Sequence, residues 1–230
     1  MKKYKHIFFD LDDTLWDFKK NSCEALSYLF EKYSLENHGI QEKSLLDTFH
    51  SINDRLWKQY SFGKIDKEFL RSNRFKMIFR ELGYENDEEA IKFGHEYLSV
   101  CPFNKNLVEG AIDLLDYLSP KYKLHVITNG FEEIAHIKLQ SSGLEKYFNQ
   151  VITSEKAGAK KPARKIFEFA LQTSNALVHD SIMIGNDSIA DIKGALDVGM
   201  DQIYFNPYSQ EMEFLPAFQV NSLKEVMNYL

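Results

Sequence analysis

Five short apolar runs recur along the chain, at 6–9 (HIFF), 124–128 (LHVIT), 150–153 (QVIT), 182–185 (IMIG) and 202–205 (QIYF). Each has the length of a buried strand and none approaches that of a membrane span. From the second run onward, helical patterns separate them. The stretch LVEGAIDLLDYLS sets Leu107, Ala111, Leu114, Leu115 and Leu118 on one face at spacings of three and four. Residues 132–142, 162–173 and 187–198 also read as helices, with Gly143 and Gly199 as expected stops. Strand–helix alternation of this kind predicts an α/β fold, a doubly wound parallel sheet with right-handed crossovers and helices on both faces.

More than a hundred residues separate the first two strands, too many for one crossover. Residues 17–100 carry charged and aromatic residues at helical spacing and no strand signal. NSCEALSYLFEKYSL, DTFHSINDRLWKQY and DKEFLRSNRFKMIFREL each read as a helix, the last two joined at Gly63. The chain is therefore expected to form a core domain from 1–16 and 101–230, with 17–100 inserted as a helical domain. Trp57, Tyr60, Phe69 and Phe75 are expected in the core of that insert, with Trp16, Asn53 and Arg74 as weaker candidates for touching a ligand.

An apolar content of 44% argues for a globular chain, and a net charge of −6 gives no support for binding a nucleic-acid polymer. No stretch predicts a membrane partner, and Asp10 interrupts the N-terminal stretch too early for a secretory leader. Cys23 and Cys101 form no disulfide or metal pattern and fit a reducing, cytoplasmic compartment.

In a doubly wound sheet, ligands collect beyond the carboxyl ends of the strands. The first strand ends in Asp10 and Asp12, the second in Thr128 with the amides of Asn129 and Gly130. The third leads to a loop with Lys156, Lys160 and Lys161, and the fourth to Asn186, Asp187 and Asp191. Crowded carboxylates at a strand mouth cost free energy unless a cation offsets them. Oxygen ligands from the two acid clusters suit Mg2+, which bridges to phosphate. The chemistry that fits is phosphoryl transfer to a carboxylate. Asp10 would attack phosphorus, and Asp12 would protonate the leaving oxygen and then activate water. Thr128, the amides of Asn129 and Gly130, and a lysine would hold the phosphoryl oxygens.

DLDDTL, then Thr128 after an apolar run, then KKPARKIF, then IGNDSIADIKGALDVGM resemble, in order, the four signature motifs of the haloacid dehalogenase superfamily. The resemblance spans nearly the whole chain and implies a Rossmann-like core with a helical cap of the type found in the superfamily's first subfamily. Carried over by motif, it implies Asp10 as nucleophile, Asp12 as acid and base, Thr128 as phosphate-binding hydroxyl and Lys161 as the phosphate-side lysine. The acid at Asp12 favours phosphate esters over halides, since halide departs without a proton. FFDLDDTLWDF, LWKQYSFGKI and ITNGF are further similar to bacterial 5′-nucleotidases acting on pyrimidine nucleoside monophosphates.

The fourth motif departs from the pattern, because Gly185 is followed by Asn186 where an acid is usual. The expected Mg2+ ligands are Asp10, the Asp12 carbonyl and an oxygen from Asn186 or Asp187. Asp191 is expected as an outer partner. The expected partner is a small phosphorylated substrate, a nucleotide before a sugar phosphate or phosphoglycolate. A sugar-phosphate mutase and a non-catalytic phosphate-binding module remain the alternatives. His6 and His125 lie within strands and are read as structural.

Overall fold

In the computed structural model, which describes residues 4–230, six parallel strands form one sheet. Met1–Lys3, part of the N-terminal stretch discussed above, lie outside the described residues. The strands are β1 (His6–Phe9), β2 (Lys123–Thr128), β3 (Phe148–Thr153), β4 (Ser181–Gly185), β5 (Asp201–Phe205) and β6 (Phe218–Val220), in the order β3-β2-β1-β4-β5-β6. Registers such as Phe8 opposite His125 and Phe8 opposite Met183 fix β1 between β2 and β4. The α/β fold expected from the alternating runs is the one observed. β6 is an addition at the edge, with only Val220 of its three residues buried.

The helices of the insert are α1 (Phe18–Lys32), α2 (Glu42–Ser61), α3 (Lys67–Glu81) and α4 (Asp87–Val100). Those around the sheet are α5 (Ala111–Leu118), α6 (Glu132–Ser141), α7 (Ser154–Ala157), α8 (Arg164–Thr173) and α9 (Gly194–Asp197). α9 continues a wide turn, Ser188–Lys193, in which Ile192 N–H reaches back five residues to the Asp187 carbonyl. Gly143 and Gly199 take φ of 73° and 81° just after α6 and α9, a left-handed stop that L side chains resist. One face of the sheet buries Phe8, Ile127, Ile152 and Met183 against Ile166, Phe167 and Ala170 of α8 and Ala195 of α9.

By its contacts the chain divides into two compact units, 1–18 with 105–230, and 19–104. Within the sheet unit, the outgoing and returning segments lie side by side. Val108 N–H donates to the Leu15 carbonyl at 2.9 Å, Asp17 N–H donates to the Asn106 carbonyl at 3.1 Å, and Trp16 bridges Leu107 antiparallel.

The helical unit has its own aromatic core. Phe75 lies 5.0 Å from Phe93 and 5.2 Å from Tyr97, ring to ring, and Phe79 lies 5.3 Å from Phe93. Asp66 caps α3 through the Phe69 N–H and Asn86 caps α4 through the Glu89 N–H. Tyr60 and Phe75 are buried and Trp57 is half-buried, but Phe69 is exposed. The inward face of α3 is set by Leu70, Arg74, Phe75, Ile78 and Phe79, which turns Phe69 outward. Arg74 is buried as well; it donates to Asn53 Oδ1 at 2.9 Å and stacks near Phe49, Phe75 and Tyr97.

Candidate active site

β1 carries the chain to Asp10, whose N–H still donates to the Ile184 carbonyl of β4 at 2.9 Å. The chain then turns sharply. The Leu11 carbonyl accepts from the Leu15 and Trp16 N–H groups, and Asp13 takes φ of 58°, a left-handed value that Asp tolerates better than most residues. β2 and β4 flank β1 and bring Thr128 and Gly185 to the same edge. The strand order reverses here, since the chain builds outward from β1 in one direction to β3 and in the other to β6.

Lys161 is the hub of the buried part. Its ammonium has three hydrogens, and three acceptors surround it: Asp10 Oδ1 at 2.5 Å, Asp191 Oδ1 at 2.7 Å and the Ile127 carbonyl at 2.7 Å. Burial acts to lower the Lys161 pKa, but the two carboxylates outweigh it and hold the lysine charged. Burial pushes Asp10 up; Lys161 opposes that and the Asp12 charge adds to it. Asp191 is pushed up chiefly by burial, against the pull of Lys161. Asn129 fixes the lysine from behind. Its amide donates to the Lys161 carbonyl at 2.9 Å and its Oδ1 accepts from the Lys161 N–H at 2.8 Å. Lys156 in α7 and Lys165 in α8, on either side of Lys161 in sequence, are exposed.

Thr14 links Asp10 to the fourth strand end. Its hydroxyl lies 2.9 Å from Asn186 Oδ1 and 3.4 Å from Asp10 Oδ2, so its one hydrogen goes to the nearer oxygen. Asp187 is engaged otherwise. Its exposed carboxylate caps the wide turn, accepting from the Ile189 and Ala190 N–H groups at 2.8 and 2.7 Å. Asp191 Oδ2 accepts from the Asp187 N–H at 3.0 Å and lies so close to Gly185 that a Cβ there would sit 2.3 Å from it. Glycine is needed at 185 because of that approach.

On the other side of Asp10, Thr128 Oγ1 accepts from the Gly130 N–H at 2.9 Å, which leaves the hydroxyl hydrogen to donate. A point one Cβ bond out from Gly130 lies 3.1 Å from Thr128 Oγ1 and 3.7 Å from Asp12 Oδ2, so hydroxyl and carboxylate converge there. Asp12 Oδ1 receives Lys138 Nζ of α6 at 2.5 Å. Sequence reasoning passes over Lys138 and Thr14. A lysine on an amphipathic helix reads as solvated, and a threonine in a strand-end turn reads as a turn residue. Four carboxylates (Asp10, Asp12, Asp187, Asp191) thus share one sheet edge with two ammonium groups (Lys138, Lys161).

The sequence profile of haloacid dehalogenase-like hydrolases matches residues 4–199. The chain belongs to that family. Among the relatives of this haloacid dehalogenase-like hydrolase, the pyrimidine 5′-nucleotidase PynA of Streptococcus pneumoniae is 33% identical over 99% of this chain and 95% of its own length. The pyrimidine 5′-nucleotidase YjjG of Escherichia coli is 30% identical over 99% and 98%. A crystal structure of the HAD-hydrolase YfnB of Bacillus subtilis, magnesium-bound and described as revealing interdomain movement, superposes with a TM-score of 0.90 at 28% identity, covering 99% of each chain.

Proposed function

We propose that this hydrolase cleaves phosphate monoesters through a phosphoaspartate on Asp10, with Mg2+ as cofactor and pyrimidine nucleoside 5′-monophosphates as preferred substrates. The observation that carries the reading is the unequal surroundings of the two Asp10 oxygens. Oδ1 lies against the Lys161 ammonium, while Oδ2 lies toward Thr14 and Asn186, which offer neutral oxygens.

Among the described residues no three His, Cys, Asp or Glu side chains group as a cation site on their own. A hard cation would instead draw on Asp10 Oδ2, the Asp12 carbonyl and Asn186 Oδ1, all oxygen donors, at an edge where carboxylates outnumber ammonium groups. That donor set fits Mg2+. Asn186 is the proposed fourth-strand ligand, because Asp187 is engaged in capping. Bound there, Mg2+ would neutralise carboxylate charge and polarise the phosphoryl group.

The steps belong to the chain's own residues. Asp10 Oδ1 attacks phosphorus, a new P–O bond forms, and the ester P–O bond breaks with its electron pair on the leaving oxygen. Asp12 gives that oxygen a proton. Water then attacks the phosphoaspartate at phosphorus, Asp12 takes a proton from it, and the bond to Asp10 breaks, releasing phosphate. Thr128 O–H and the backbone N–H groups around Gly130 would bind phosphoryl oxygens, and Lys161 would offset the charge arriving at Asp10. The preference for pyrimidine nucleotides rests on the names of PynA and YjjG, and the helical unit 19–104 is the proposed carrier of leaving-group selectivity.

The test is a panel of pyrimidine and purine nucleoside monophosphates, hexose phosphates and phosphoglycolate, assayed with Mg2+ and with chelator, on the native chain and Asp10→Asn. Turnover highest on pyrimidine nucleotides, abolished by chelator and by Asp10→Asn, is expected. Hydrolysis that survives Asp10→Asn would refute the covalent route, and higher turnover on a sugar phosphate would refute the nucleotide assignment alone.

A further inference from the structure

Lys138 sits where an amphipathic helix buries its apolar side. Its neighbours in α6, Ala135 and Leu139, are buried, and Lys138 is only 6% exposed. An ammonium taken out of water is expensive unless it is paired. Asp12 Oδ1 is the partner at 2.5 Å, and the Trp16 ring lies beneath the cation at 4.2 Å with the Phe18 ring at 5.6 Å. Trp16 belongs to the same turn as Asp12. The two form a backbone bridge, and Asp13 N–H donates to the Trp16 carbonyl at 2.8 Å. The turn therefore supplies both the carboxylate and the aromatic floor that aims the lysine at it.

We propose that Lys138 is the positioning residue of Asp12, holding Oδ1 so that Oδ2 is the oxygen that carries the exchanged proton. The proposal rests on the function given above. A carboxyl group turns about two side-chain bonds and can present either oxygen. With Oδ1 facing an ammonium, a proton on Oδ1 would point at the positive charge, so the acid form places it on Oδ2. Oδ2 is the oxygen 3.7 Å from the point beside Gly130 on which Thr128 Oγ1 also converges. Two lysines thus divide two carboxylates: Lys161 holds the nucleophile and Lys138 holds the proton carrier.

The experiment compares the native enzyme with Lys138→Met, Lys138→Gln and Lys138→Arg, all with Mg2+, in single turnovers with enzyme in excess. Release of the leaving group is followed from 4-nitrophenyl phosphate, whose phenolate departs without a proton, and from a pyrimidine nucleoside monophosphate, whose alkoxide needs one. Lys138→Met and Lys138→Gln should slow nucleoside release about a hundredfold or more while changing nitrophenolate release only a fewfold. In multiple turnovers both substrates should slow, because the water step also uses Asp12. Lys138→Arg should recover part of the nucleoside rate. Equal slowing of the two releases, or nucleoside release within about twofold of native in Lys138→Met, would overturn the proposal. Melting curves show which variants are folded, and Lys138→Gln, one atom shorter than lysine and uncharged, decides the matter if Lys138→Met is not. A native enzyme that hydrolyses neither ester, or does so equally as Asp10→Asn, would instead refute the function on which the proposal rests.

Discussion

Acidification should weaken the sheet unit through one side chain, His125. It faces Phe8 across β1 and β2, with ring centroids 4.8 Å apart, and stacks on His6 at 5.3 Å. Its Nε2 lies 3.0 Å from His6 Nδ1 and its Nδ1 lies 3.3 Å from Ser174 Oγ. Burial first, then the neighbouring His6, lower its pKa from 6.5 to about 3. The folded protein keeps His125 neutral where the unfolded chain binds a proton. Its stabilising effect is therefore complete above the unfolded value of 6.5 and is lost as pH falls from there toward about 3. Between roughly pH 7.5 and pH 5 the loss from this group is about 2 kcal/mol. His6 is lowered too, mainly by burial, and acts in the same direction. The assay is urea unfolding followed by fluorescence in a Trp57→Phe background, where Trp16, fully buried in the sheet unit, is the sole indole because the chain has 2 tryptophans. Carboxylates contribute their own acid slope, so the same series is run on His125→Leu. The native chain should lose about 2 kcal/mol more than the variant over that interval. Equal losses in the two would refute the reasoning, whatever the absolute stability of His125→Leu.

Two further outcomes follow from the site. Gly185→Ala should displace Asp191, whose Oδ2 would lie 2.3 Å from the new methyl, and so free Lys161; thermal melts should register roughly 3 kcal/mol of destabilisation and phosphoenzyme formation should largely disappear. Asn186→Ala should raise the Mg2+ concentration for half-maximal activity by about tenfold or more, whereas Asp187→Ala should mainly cost about 1 kcal/mol of capping energy and leave that concentration nearly unchanged, both read from Mg2+ titrations and melts.

The sheet was legible because a strand covered on both faces reads as an uninterrupted apolar run, and Ile7, Phe8 and Phe9, or Ile182, Met183 and Ile184, leave no other reading. β6 was not legible. Its three residues, Phe218, Gln219 and Val220, alternate, but a run of three after Leu215–Pro216–Ala217 is too short to read as a strand, so the edge strand comes from pairing with β5 rather than from its own pattern. The wide turn at Ser188–Lys193 leaves no mark in the sequence either, since its span of five depends on hydrogen bonds closed by Asp187. Of the site, motif order fixed which residues to watch, and the structure gathers Asp10, Asp12, Thr128, Lys161 and Asn186 at one edge of the sheet. The pairings needed three dimensions. Lys161 meets Asp191 across thirty positions and Lys138 meets Asp12 across many more, and no local spacing encodes either. Asn186 and Asp187 could not be told apart in one dimension, because their difference lies in which one the turn requires as its cap.

The paired crossing at Leu15–Asp17 and Asn106–Val108 has a consequence for how such a chain can diverge. Held like the two legs of a hairpin, it would remain closed with a short reverse turn in place of everything beyond it. The intervening helices can therefore be lengthened, trimmed or transplanted from another source without shifting the backbone that carries Asp10 and Asp12. If those helices carry leaving-group selectivity, as proposed above, selectivity and reaction chemistry could change at separate rates in one polypeptide.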